Sequence, residues 1–274
     1  FPVTRQFLLT RPHGDVFVLV NGSAIGSTLD ENSTWDDLDG AFFGGDAYFS
    51  PARPVLDVPD GGLPMSGVGL DMAVTGEEPS LNVATVSVGR AVSKLRYVFS
   101  QMYTEGNSEE EFAIEKVVLD GDRIPEREYV FSPGASHVVP SAYVQEALET
   151  PWPEDTPLAS SDAPELYSYA GQDGPTYEQL IQDGVAGGKL TDCGTYYLRE
   201  SDKAISGYVN YTVGGQQKTR FFSNTAPGDF ARNHSWMLYG YFLSGRNLQL
   251  SLNVLPWDNN EYSISFREGL QATQ

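Results

Sequence analysis

The chain is short of cysteine, of basic residues, of histidine and of long apolar runs, and each shortage excludes something. Its one thiol, Cys193, cannot close an internal disulfide, and no CxxC or Cys/His cluster exists to hold zinc. A lone Cys reads as a small buried hydrophobe. Only 17 Lys and Arg stand against 37 Asp and Glu, a formal net charge of -20. That field repels phosphate backbones and anionic lipid, so nucleic acid and acidic membrane surfaces are excluded as partners. His13, His137 and His234 are far apart and show neither HxH nor HExxH spacing. Nowhere do about 18 apolar residues run together, so no segment reads as a membrane span. The chain begins at Phe1 rather than Met, as expected of a processed or trimmed product whose leader has gone.

Catalytic signatures are equally scarce. No GxSxG elbow, P-loop or GxGxxG follows a strand pattern. "FFGGDAYF", residues 42–49, has paired glycines but no helix after them and reads as a loop. "DENSTWDDLDG", residues 30–40, is acid-rich, yet it lacks the spaced oxygens, central Gly and closing Glu of a calcium loop. A solvated helix start accounts for it. Glycoside hydrolysis needs two carboxylates at a set separation in space, which a sequence with 37 acids cannot single out. The alternative function that survives is therefore a secreted carbohydrate-binding or glycan-hydrolysing β-sandwich, with Trp35, Trp152, Trp236 and Trp257 as candidate sugar-stacking rings. No catalytic residue, cofactor or metal ligand is assigned, and the chain is not expected to be an enzyme.

What is present is strand pattern. Hydrophobic residues make up 40% of the 274 and aromatics 12%, enough for one large or two ordinary cores. "RNHSWMLYGYFLSGRNLQLSLNVLPWD", residues 232–258, reads as two strands and a turn. Residues 236–243 are apolar on both faces, which marks a central strand. After Ser244-Gly245-Arg246-Asn247, the residues Leu248, Leu250, Leu252 and Val254 alternate with Gln249, Ser251 and Asn253, which marks a strand with one wet face. Further strands are expected at 7–9, 15–20, 81–88, 93–99, 113–119, 129–131, 194–199, 204–213 and 218–222. Hairpin turns are expected at Asp120-Gly121-Asp122 and at Val213-Gly214-Gly215-Gln216. Short helices are expected at 33–38, 140–148 and 176–183. The fold class is mainly β with a few short helices, arranged as sandwiches.

The order of the segments then becomes informative. "GDVFVLVNG" (14–22), "STWDDLDG" (33–40), "LPMSG" (63–67), "VSVGRAVSKLRYVF" (86–99, with Arg90 and Lys94 four apart), "GTYYLRES" (194–201) and the closing "ARNHSWMLYGYF" and "LNVLPWD" occur in sequence. Taken together they resemble the fimbrillins of Bacteroidales, the type V pilins and their minor-subunit relatives, over most of the chain. The resemblance implies two transthyretin-like β-sandwich domains, 1–80 and 81–274. The Pro-rich stretch 149–165 then becomes a long loop of the second domain rather than a linker. It also implies an exported lipoprotein precursor, an extracellular place on a cell-surface fimbria, and other fimbrial subunits as partners, with host or bacterial surface ligands if the chain is a tip or anchor subunit. The family carries a further strand and loop before the segment that matches 7–21. This chain lacks it, which implies a first domain missing its first strand.

A sandwich with a strand missing exposes amides and apolar pockets that a neighbour's extended segment can fill. The tail supplies a candidate. In "EYSISFRE", residues 261–268, Tyr262, Ile264 and Phe266 alternate with Ser263, Ser265 and Arg267. That pattern suits either the last strand of its own domain or a strand donated to the next subunit.

Overall fold

Burial alternates cleanly in Ser206–Val213, whereas Ser93–Met102, Thr191–Leu198 and His234–Leu243 are buried along most of their length. In the computed structural model, residues 5–7, 13–22, 29–30, 32–43, 62–73, 86–102, 110–131, 142–161, 177–223, 231–256 and 266–268 are described. In chain order the strands begin with β1 (Arg5–Phe7), β2 (His13–Val20), β3 (Phe42–Phe43), β4 (Met65–Ala73) and β5 (Gly89–Arg90). Next come β6 (Ser93–Met102), β7 (Phe112–Leu119), β8 (Glu128–Tyr129), β9 (Leu148–Pro151) and β10 (Ser160–Ser161). The remainder are β11 (Thr191–Leu198), β12 (Ser206–Val213), β13 (Gln216–Ser223), β14 (His234–Leu243), β15 (Gln249–Pro256) and β16 (Phe266–Glu268). Two helices, α1 (Trp35–Asp39) and α2 (Tyr177–Ala186), complete the described elements.

The main body is a β-sandwich. One sheet runs β10-β6-β14-β15, with β11 also on β6; the other runs β13-β12-β7-β9. Their inner faces share one core. Leu95, Tyr97 and Phe99 of β6 and Trp236, Leu238 and Phe242 of β14 meet Phe112, Ile114, Val117 and Leu119 of β7 and Val209, Tyr211 and Val213 of β12. Phe112 and Phe242 stack across the sheets at 4.2 Å. As its composition foretells, β14 is central: it lies parallel to β6 and antiparallel to β15. Its second face is apolar because Met237 and Tyr239 pack with Val98 on Leu190 and Val185, at the end of α2. A strand covered on both faces can be apolar throughout. Cys193 is unpaired and buried in the main core, and burial pushes its thiol well up from the ordinary range.

The first sheet, β2-β4-β5, stands beside this body, and β3 pairs with β8. Phe17, Leu19 and Val68 pack with Ala41, Val92, Val130, Phe131 and Tyr197. On the other face Val16, Val18 and Val20 pack with Met65, Val86 and Val88. α1 is fixed by a capping box: the Asp37 carboxylate accepts from Thr34 N and Oγ1, each at 2.7 Å, and Thr34 Oγ1 accepts from Asp37 N at 3.3 Å. The acids at 30–40 that could pass for a calcium loop therefore serve a helix start. At the β12–β13 turn Gly214 and Gly215 have φ of 55° and 76°, the pair of left-handed residues that a tight hairpin requires.

Three expectations are corrected. Of the strand expected at 81–88, residues 81–85 lie outside the described residues and Val86–Val88 is not a strand: it crosses the face of β4, where Gly67 and Gly69 leave room for Ser87 and Val86. Residues 142–147 of the expected helix are extended, held by Val144 N to Ile124 O at 2.9 Å and Glu126 N to Ala142 O at 3.1 Å. Asp120-Gly121-Asp122 leads into a 3-10 turn, Gly121–Arg123, not a hairpin; β7 pairs with β12 and β9 instead of with β8. The Pro-rich stretch is more than a loop. Its ends are β9 in one sheet and β10 in the other, and Trp152 and Leu158 pack on the shared core between them.

Buried tyrosines set an alkaline limit. Burial raises Tyr196 to about 12, and burial with a hydrogen bond to Asp202 raises Tyr143 to about 12. Unfolded tyrosines ionise near pH ~10. Stability from this source is full below that pH and is lost as pH rises through the folded value, because only the unfolded chain ionises early. Melting temperature should hold up to pH ~10 and fall above it, with a shallower fall in Tyr196→Phe. A flat profile through that window would count against burial of the Tyr196 ring.

Candidate functional site

Sheet edges are where a β protein stops or admits another chain. Around the sandwich four of the described outer strands carry blocking devices; the fifth, β15, is uncharged, lies close to β13 of the facing sheet and ends on Pro256. β9 is four residues long and ends on Pro151, and β10 has only two residues. β11 is bulged between Asp192 and Thr195. On β13, Lys218 and Arg220 lie opposite Tyr211 and Val209 of β12, so their side chains are on the core side of an edge strand. Inward charges of this kind prevent another strand from adding.

β2 differs. It has eight residues and pairs with β4 on one side; among the described residues no strand pairs with its other side. The pairing is bulged only at its start, between Gly14 and Val16. From there Val16, Phe17, Val18, Leu19 and Val20 run without a charge, and both faces are apolar. The edge thus offers a row of backbone groups flanked by apolar side chains, the arrangement that accepts an added strand.

Of the three residues expected to form a donor or terminal strand, Phe266 opens β16; Tyr262 and Ile264 lie outside the described residues. β16 joins neither sheet of the sandwich. It pairs in parallel with β1, Arg5 opposite Phe266 and Phe7 opposite Glu268. A two-stranded pair this short is marginal by itself.

Sequence reasoning missed the joint between the first sheet and the sandwich. Just before β14, Arg232 donates to Glu200 Oε2 at 2.9 Å, to Tyr129 O at 2.8 Å and to Val130 O at 3.1 Å, and reaches Ser66 Oγ of β4 at 3.4 Å. The two charged side chains are only 14% and 19% exposed. Asn233, at φ 61°, accepts from Arg90 N at 3.3 Å and donates its own N–H to Val92 O at 2.9 Å. One guanidinium therefore ties β4, the segment after β8, the end of β11 and the start of β14. The available signal was an Arg-Asn pair directly ahead of an apolar strand.

Two further carboxylates do this kind of work. Asp192 pairs with Arg96 at 2.5 Å and Glu149 with Lys116 at 2.7 Å. Among the described residues no group of His, Cys, Asp and Glu is placed to hold a metal. No described helix is long and apolar enough to cross a membrane. Of the four tryptophans, Trp236 is core, Trp152 donates to Thr156 O at 2.7 Å, Trp35 packs edge-on against Phe17, and Trp257 lies outside the described residues.

No protein-family model matches the chain, and no curated protein matches it. Solved structures that align with it include a proposed cell adhesion protein from Bacteroides eggerthii, at TM-score 0.48 and 12% identity over 92% of this chain and 79% of that one. A proposed cell adhesion protein from Parabacteroides distasonis aligns at TM-score 0.46 and 13% identity, over 90% of this chain and 77% of that one. A fimbrial protein from Bacteroides vulgatus aligns at TM-score 0.38 and 8% identity, over 72% of this chain and 68% of that one.

Proposed function

We propose that the chain is a non-enzymatic structural subunit of a bacterial cell-surface fimbria, a type V pilus, assembled by donor-strand addition. The observation that carries the reading is the apolar outer edge of β2, against which no described strand pairs, while β9, β10, β11 and β13 of the sandwich are guarded. The ordered motifs of the sequence support it. Residues 1–80 are then the acceptor domain, lacking its first strand, and residues 81–274 the second domain. The tail is the donor: Tyr262, Ile264 and Phe266 alternate as a pocket-filling strand must, and β16 pairs at the N-terminal end of the chain instead of extending its own sandwich. Donation from each subunit to the next does not close on itself, so it builds a filament. The partners are further fimbrial subunits, and the mature chain works outside the cell after export as a lipoprotein precursor.

The test is one double variant, Ile264→Asp with Phe266→Asp. The monomer should melt like the wild type, because the three-residue β1–β16 pair contributes little. Polymerisation, followed by light scattering and electron microscopy, should be abolished. A monomer destabilised by several kcal/mol, as when charge enters a core unpaired, would instead make this segment an internal strand.

A further inference from the structure

We propose that the outer face of the β13-β12-β7-β9 sheet binds an uncharged oligosaccharide, with Phe221 and Tyr208 as its stacking platform. Phe221 is 73% exposed, whereas its neighbour Phe222 is buried in the core. Single exposed hydrophobes are ordinary on a protein surface. This one has a built surround. The register places Phe221 opposite Tyr208, Tyr208 opposite Val118, and Val118 opposite Glu149, one row across all four strands. The Phe221 and Tyr208 rings lie 5.7 Å apart. The next row holds Thr219, Asn210 and Lys116, and beyond it Gln217 faces Thr212.

These polar groups are already ordered. Thr219 Oγ1 donates to Asn210 Oδ1 at 2.9 Å, so Asn210 keeps its amide N–H groups to donate. Gln217 Nε2 donates to Glu115 Oε1 at 3.2 Å, and Lys116 reaches Glu149 at 2.7 Å. Aromatic rings beside fixed amides and hydroxyls match a sugar, which offers an apolar ring face and a rim of hydroxyls. Charge selects the ligand class. The molecule carries -20 and repels polyanions at long range. On this face Lys116 pairs with Glu149, and the one further carboxylate among the described residues, Glu115, accepts from Gln217, so no cluster of acids is left to hold a cation. An uncharged glycan meets no penalty. The site does not depend on polymerisation, so it stands apart from the fimbrial reading.

Affinity electrophoresis of the full chain tests it, in native gels containing β-glucan, mannan or xylan, with alginate as the acidic control. Retardation is expected in at least one neutral gel and not in alginate. Phe221→Ala should weaken it about tenfold or more, as loss of one stacking ring does, with an unchanged melting temperature. Tyr208→Ala should weaken it as well. The proposal is overturned if no neutral polysaccharide retards the protein, or if retardation survives both substitutions. It is also overturned if alginate alone retards it, which would point to Lys218 and Arg220. Loss of self-association in Phe221→Ala without any retardation would make the face a subunit contact instead.

Discussion

Trp236→Ala should destabilise the chain by about 3–5 kcal/mol, the range for deleting a large buried ring. Trp236 is 1% exposed on the inner face of β14, between Leu95 of β6 and Val254 of β15 in register. Few neighbours can close the hole. The strands on both sides are hydrogen-bonded to β14, so the backbone cannot move in without breaking a ladder. Urea unfolding followed by circular dichroism would give the number. A loss under about 1 kcal/mol would mean that this part of the sandwich collapses around the cavity, which a close-packed interior resists. If the variant folded normally and lost glycan retention, Trp236 would be a ligand contact and not core.

Arg232→Ala should be nearly as costly, about 3 kcal/mol or more, because it leaves the Glu200 carboxylate poorly solvated and without its guanidinium. It also removes the donors to Tyr129 O and Val130 O. The loss should be felt first at the joint. Limited proteolysis is expected to cut within the first sheet, β2-β4-β5, at denaturant levels that leave the sandwich intact. Arg232→Lys should not restore it, since an ammonium cannot serve four acceptors in the plane of a guanidinium fork. Equal proteolytic resistance of variant and wild type would show that apolar packing alone holds the first sheet in place.

Sequence pattern reported burial well and pairing poorly. The hairpin β14–β15 was legible because composition and period both change at Ser244-Gly245, and the α1 start because Thr34 and Asp37 have capping spacing. Val86 and Val88 are as buried as the pattern demands, at 2% and 6%, yet they cross a sheet face instead of lining its edge. Periodicity carries no information on which neighbour a strand takes. For the same reason β2 was visible as a strand and its open side was not, since an edge is defined by what fails to lie beside it. The Arg232 joint joins residues far apart along the chain, and no local pattern encodes that. Phe221 had a signal that went unused. In "KTRFFS" adjacent phenylalanines on a strand must face opposite ways, so one of them had to meet solvent.

The parallel pairing of β6 with β14 has a consequence for how the chain is made. Each residue of β14 sits beside a residue of β6 more than half the chain length earlier. Among the described strands of the sandwich, the middle one is thus the last but one to be synthesised. β6 emerges early; β10 and β11 pair along one of its edges, but the other edge stays open until β14 is made. Contacts of such long range make folding slow, on the order of milliseconds to seconds, and leave an open strand edge exposed meanwhile. An unfinished chain that ends before His234 has the β13-β12-β7-β9 sheet complete and the other without β14 and β15, so any cell producing it must shield one open edge of β6 until that hairpin arrives.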